Sequence, residues 1–260
     1  MRFPQDPLPK VFFERSFRIR PEFCYFEAME AWEVFQEIQQ SEGHKIYWKM
    51  QELQATYSIF SGNFEELLNA IASFETPAVS KQFMSADRSE ALREVQRKIL
   101  RLLHNFLAGA NTLIDHTRVL TTELYAETPF NGEYQAKVKE IFGDAPITRF
   151  VKGLRNWMVH RGLVPVAVVS TLGVRDESST SRLVLILADL KCWDRWDASA
   201  KTYLAEHSTD VSLEVLVRSY ASLVEGFYAW LGTRLGEVHA DAFAELQRLQ
   251  ERYKSARPFV

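Results

Sequence analysis

The sequence predicts a mainly α protein carrying one inserted β-hairpin. Three observations lead there. Only 11 Gly and 9 Pro occur among 260 residues, so few positions interrupt helices. Apolar residues recur at three-to-four spacing along most of the chain. The stretch over about 164–190 departs from this spacing, with β-branched and aliphatic runs on either side of a polar turn. A hydrophobic share of 47% and a charged share of 25% are those of a soluble globular chain that can bury a sizeable core.

Taken in order, Pro4, Pro7 and Pro9 keep the start extended or turn-like, and "KVFFERSFRI" reads as a short strand or a packing arm. From Cys24 the pattern is helical, with Tyr25, Met29, Trp32, Phe35 and Ile38 on one face. A break near "SEGHK" precedes a second helix through Tyr47, Met50 and Leu53 to Phe60. Gly62 and Asn63 predict a turn, and "FEELLNAIASF" a third helix. Ser80 to Asp87 is looser.

A long helix is predicted from about Arg88 to Tyr125. It carries two adjacent apolar stripes. Leu100, Leu103, Leu107, Ala110 and Ile114 form one; Leu102, Phe106, Leu113 and Leu120 form the other. So wide an apolar arc predicts a central helix. The rest of its surface is polar, with Arg101, His104, Asn105, Asn111, Thr112, Asp115, His116 and Arg118.

Pro129 to Gly132 reads as a loop, and "EYQAKVKEIFGDAP" as a helix interrupted by Gly143 and Pro146. The next helix holds "FVKGLRNWMVHRGLVPV" and stops at Gly162 and Pro165. "VPVAVVST" and "SRLVLILADL" are the hairpin strands, joined by "LGVRDESST". Helices resume in "LKCWDRWDASAKTYLAEH", "VSLEVLVRSYASLVEGFYAWLGTRL" and the amphipathic "DAFAELQRLQERYKS". Trp32, Trp48, Trp193, Trp196 and Trp230 are predicted as core or interface residues. The expected organisation is one domain over 1–260. It has a helical N-terminal extension over 1–87 and a helical core over 88–260, with the hairpin at about 164–190.

Composition narrows the function. A net charge of −3 leaves polyanion binding to a local patch. Cys24 and Cys192 sit in "EFCYF" and "LKCWD" and predict two buried thiols in a reducing compartment, with a disulfide as the alternative that no sequence feature supports. No Cys or His cluster has metal-ligand spacing, so neither a metal nor another cofactor is expected. The first residues hold no signal-peptide run, and no stretch approaches the ~18 apolar residues of a membrane span. A cytoplasmic protein without a membrane partner is expected.

The local patch lies around Arg155 and His160. No Asp or Glu occurs from Ala145 to Arg175, a span that contains Arg149, Lys152, Arg155, Arg161 and Arg175. At about 100° per residue, Phe150, Leu154, Trp157 and Met158 form an apolar stripe. Arg155, Asn156 and His160 share a broad polar face, which also takes in Val159. A histidine can move a proton near neutral pH, and an arginine can hold phosphate oxygens. RNA brings its own nucleophile, the 2′-hydroxyl. Each residue also has an ordinary reading: His160 as a cation favoured at a helix C-terminus, Arg155 as a solvated or ion-paired side chain. On the long helix, His104, Asn111, Asp115 and Arg118 lie on one stripe with His116 at its edge, and would form a second wall of the site from which Asp115 or His116 assists His160; the ordinary reading is a solvated face with an Asn111–Asp115 or Asp115–Arg118 pair.

"LRNWMVHRGL", with Arg155, Asn156 and His160 in an R-N-x-x-x-H pattern at a helix end, resembles the R-x4-H motif of the HEPN superfamily. The preceding "LLHNFLAGANTLIDHTRVL" looks like the helix beside the motif helix in that superfamily, and the resemblance covers roughly Glu90 to Leu163. It implies an HEPN-like helical bundle and a metal-independent endoribonuclease. Such enzymes act in toxin–antitoxin systems, phage defence and RNA processing, as homodimers whose motifs meet across the interface. Arg155 and His160 would be catalytic, Asn156 would orient or polarise, and Arg149, Lys152 and Arg161 would bind RNA. An antitoxin or regulatory protein is the further partner implied. Two residues past the histidine, where some HEPN toxins carry a modifiable tyrosine, this chain has Gly162. The hairpin is no part of the minimal four-helix pattern. Other HEPN-like proteins are non-catalytic modules that bind RNA or a protein, and this is the alternative reading.

Overall fold

The computed structural model describes residues 25–76, 89–143, 145–171 and 180–256. The predicted N-terminal arm, Cys24, the looser region over 80–87 and the hairpin loop with Arg175 lie outside these residues. In chain order the elements are α1 (Tyr25–Gln40), α2 (Glu42–Phe74), α3 (Ser89–Tyr125), α4 (Pro129–Val138), a π-helical turn (Lys139–Gly143) and α5 (Pro146–His160). There follow β1 (Val166–Thr171), β2 (Thr180–Ile186), α6 (Leu187–Lys191), α7 (Ala198–Glu206), β3 (Asp210–Ser212), α8 (Leu213–Val238) and α9 (Ala240–Ser255). The chain is thus mainly helical, with a small three-stranded antiparallel sheet inserted mid-chain. Among the described residues no helix is long and apolar enough to cross a membrane.

The chain divides into two compact units, Met1–Gln54 with Tyr228–Val260, and Ala55–Phe227. In the first, α1 packs on α9 through Val34, Ile38, Leu246, Leu249 and Tyr253. An exposed ion pair joins Arg252 Nη1 to Glu37 Oε2 at 2.8 Å. The break near "SEGHK" is a cap: Ser41 Oγ accepts from His44 N at 3.2 Å and opens α2. Trp32 and Trp48 are 52% and 40% exposed and so lie outside the core of the chain.

The second unit is built around α3. Leu102, Leu103, Phe106, Leu107, Ala110, Leu113 and Leu120 are buried along it, as the wide arc predicts, while Ile114 is exposed. Phe106 meets Phe60 of α2 and Tyr220 of α8, with ring centroids 5.5 and 6.0 Å apart. The predicted turn at Gly62–Asn63 does not form, and α2 runs straight through it. Burial decides this. Phe60, Leu67 and Ile71 keep their helical spacing on the buried side. Each large apolar side chain contributes roughly 1.5–3 kcal/mol, against about 1 kcal/mol for an interior glycine.

The expected loop at Pro129 to Gly132 is instead the first turn of α4, with Pro129 in its first turn after an extended Thr128. Two further boundaries differ. The "ADL" assigned to the second strand is helical, in α6. The single helix expected over "LKCWDRWDASAKTYLAEH" breaks between α6 and α7, where Trp193 and Trp196 turn into the core. Trp196 Nε1 donates to Leu190 O at 2.6 Å, and Asp197 caps α7 by accepting from Ala200 N at 2.8 Å. Cys192 falls in this break with an exposed thiol, correcting the expectation that it is buried.

The sheet order is β1-β2-β3. β1 and β2 form the predicted hairpin, in register from Val166↔Leu185 to Thr171↔Thr180. β3, read from sequence as the start of a helix, pairs only with the end of β2, from Val184↔Ser212 to Ile186↔Asp210. Leu183 N lies just past that pairing, and Glu75 Oε1 accepts its hydrogen bond at 2.8 Å. Burial pushes the Glu75 carboxyl above its ordinary value; the Leu183 bond and Arg182 pull it down, and Glu214 adds to the rise. A raised carboxyl pKa contributes stability that is full below the unfolded value of 4.5 and is lost as pH rises through the folded pKa. Glu75→Gln stays neutral and keeps an accepting oxygen. It should therefore melt higher than the native chain near neutral pH, with the difference closing below 4.5. Melting curves across pH test this, and a difference that grows on acidification would refute it.

Candidate functional site

The site is built on α5. Pro146 starts the helix, and Phe150, Val151, Leu154 and Trp157 form its buried face. Gly153 lies flat against the Trp196 ring, at a spot where a β-carbon would overlap that ring. The helix ends as its residues predict. Arg161 N and Gly162 N both donate to Trp157 O, at 2.8 and 3.2 Å, and Gly162 adopts a positive φ of 151°. Gln96 Nε2 of α3 reaches Val166 O, just beyond α5, at 3.2 Å. Arg155 lies level with later turns of α3, so the two helices run antiparallel.

Between them is a cleft of about 230 Å³. Arg155, Met158 and Val159 line it from α5; His104, Leu107, Ala108, Asn111 and Thr112 line it from α3. Arg155 is half-buried, and its Nη1 donates to Asn156 Oδ1 at 3.3 Å, a long bond to its own neighbour. Among the described residues no carboxylate pairs with it.

His160 is exposed at the last position of α5, where the helix dipole favours a cation. Among the described residues its ring has no hydrogen-bond partner. It does not line the cleft. Five residues at about 100° each carry it about 140° around the helix from Arg155. Arg149, Lys152, Asn156 and His160 continue along one outward stripe, the first two and the last exposed. Arg161 is held instead by its guanidinium over the Trp157 ring, 4.5 Å from the centroid. Val159 and Leu163, 54% and 68% exposed, add apolar surface beside His160.

The second wall differs in detail from the expected one. Asp115 accepts from Asn111 Nδ2 at 2.8 Å, the helix pair of the ordinary reading. His116 is turned to α2, with Nδ1 at 2.9 Å from Thr56 Oγ1. The imidazole that does face Arg155 across the cleft is His104. Its signal was present in the sequence: His104, Leu107, Ala108, Asn111 and Thr112 follow the three-and-four spacing of one helix face. Among the described residues no group of three or more His, Cys, Asp or Glu is placed to hold a metal ion. No protein-family model matches the chain, and no curated protein or solved structure is significantly similar to it.

Proposed function

We propose that the chain is a metal-independent endoribonuclease of HEPN type, acting in the cytoplasm as a homodimer, with RNA as substrate. The observation that carries this is the pairing on one helix of an exposed His160, without a partner among the described residues, with an Arg155 that no described carboxylate neutralises. The acid-free stretch around them would recruit the RNA backbone through Arg149, Lys152 and Arg161. Arg155 and His160 point about 140° apart, which suits a site completed by the motif of a second copy.

In the reaction, the 2′-oxygen attacks the adjacent phosphorus as its proton passes to a base. The bond from phosphorus to the 5′-oxygen breaks, and that oxygen takes up a proton. His160 serves in proton transfer, Arg155 holds the phosphate oxygens, and Asn156 orients the arginine. The products are a 2′,3′-cyclic phosphate and a 5′-hydroxyl end. A toxin or defence role, with an antitoxin or regulatory protein as partner, belongs to this reading.

The second reading is a module that binds RNA or a protein without cutting. It is favoured by the absence of His160 from the cleft that Arg155 lines. Incubation with RNA in EDTA separates the two. Cleavage leaving cyclic-phosphate and 5′-hydroxyl ends is the expected result. Cleavage that needs a divalent metal, or that leaves 5′-phosphates, sinks the mechanism, and binding without cleavage selects the module.

A further inference from the structure

The cleft between α3 and α5 holds a combination that packing alone does not require. Arg155 is partly withdrawn from water with no described carboxylate beside it, which leaves its guanidinium open to an anion. Opposite stands His104, exposed and with no hydrogen-bond partner among the described residues. Thr112 adds a hydroxyl at the rim, and Leu107, Met158 and Val159 supply apolar walls. The neighbouring charges are mostly positive. Arg101 precedes His104 by one turn of α3, and Lys152 precedes Arg155 by one turn of α5. The nearby acid, Asp115, has its carboxylate engaged by Asn111.

We propose that this cleft is a phosphate clamp for the RNA backbone, closed within one chain by Arg155 and His104. It rests on the ribonuclease reading for the identity of the ligand, and it adds His104 to the groups on the phosphate that Arg155 holds. The guanidinium fork takes the two non-bridging phosphate oxygens, and the imidazole donates an N–H to a free lone pair of one of them. At about 230 Å³ the cleft fits a phosphate with part of its sugar, leaving the bases outside. Recognition here is therefore of backbone and not of sequence.

The test uses a 2′-O-methylated oligoribonucleotide, which binds as RNA but lacks the nucleophile. Imidazole resonances of the full chain are followed by NMR during titration, and affinities are measured at one fixed salt concentration. The His104 resonance should shift saturably. His104→Ala and Arg155→Lys should each weaken binding by about tenfold or more, the scale of a hydrogen bond to a charged group. His104→Arg, which keeps an N–H donor, should retain most of the affinity. A His104 resonance that stays put, an unchanged affinity in His104→Ala, or no binding at all overturns the clamp. The two proposals fail separately. Cleavage of unmodified RNA with a silent His104 removes the clamp and leaves the ribonuclease. A saturable His104 shift without cleavage does the reverse.

Discussion

His160→Ala is expected to slow RNA cleavage by about two to four orders of magnitude, the range of a lost general acid or base. Arg155→Ala should cost about two to three orders, as for a lost donor to a developing oxyanion. Arg155→Lys should recover only part of this, because an ammonium is a point charge without the planar fork. The double variant should be little worse than the worse single one if the two residues act in one step. His160 is exposed and Arg155 half-buried, outside the packed face of α5, so neither change should disturb the fold. Stability changes within about 0.5 kcal/mol are expected. Single-turnover rates on a short fluorogenic RNA, with circular dichroism as a folding control, measure the effect. Rates untouched in both single variants would end the catalytic reading.

What the sequence made legible here divides along physical lines. The long helix, the α5 stop at Gly162 and Pro165, and the hairpin strands rest on period and on local backbone chemistry, and all three appear. The misplaced boundaries were settled by packing. Gly62 carries no turn because its neighbours are buried at helical spacing. β3 is three residues long, too short for an alternating pattern, and exists because the end of β2 needs a partner. Trp193 and Trp196 read as helix residues, yet their rings draw the chain between α6 and α7 inward.

The candidate site divides in the same way. A helical wheel puts Arg155 and His160 on one broad polar face, but α3 packs against only part of it. Arg155 then lines a cleft and His160 stays in solvent. Which imidazole of α3 would look across at Arg155 depends on how the two helices meet. Spacing within α3 groups His104 with the other cleft residues, but it does not say that this face meets α5 while His116 turns its ring to Thr56.

The support beneath α5 yields the second large effect. Phe150 is fully buried, and its ring stacks on Trp196 and Tyr203 with centroids 5.3 and 4.6 Å away. Phe150→Ala leaves a cavity between α5 and α7 and should lower stability by about 3–5 kcal/mol, a large part of the roughly 5–15 kcal/mol a folded protein has. Phe150→Leu, which keeps most of the volume, should lose less. Urea unfolding followed by far-UV circular dichroism reads both. The same cavity frees the helix that carries Arg155 and His160, so Phe150→Ala should also lose cleavage at temperatures where it remains folded. A displacement of about 1 Å at reacting groups can cost about a hundredfold in rate. A stability loss below about 1 kcal/mol would show that the aromatic stack does not anchor α5. A large loss with an unchanged rate in the folded protein would show that the placement of Arg155 and His160 does not depend on it.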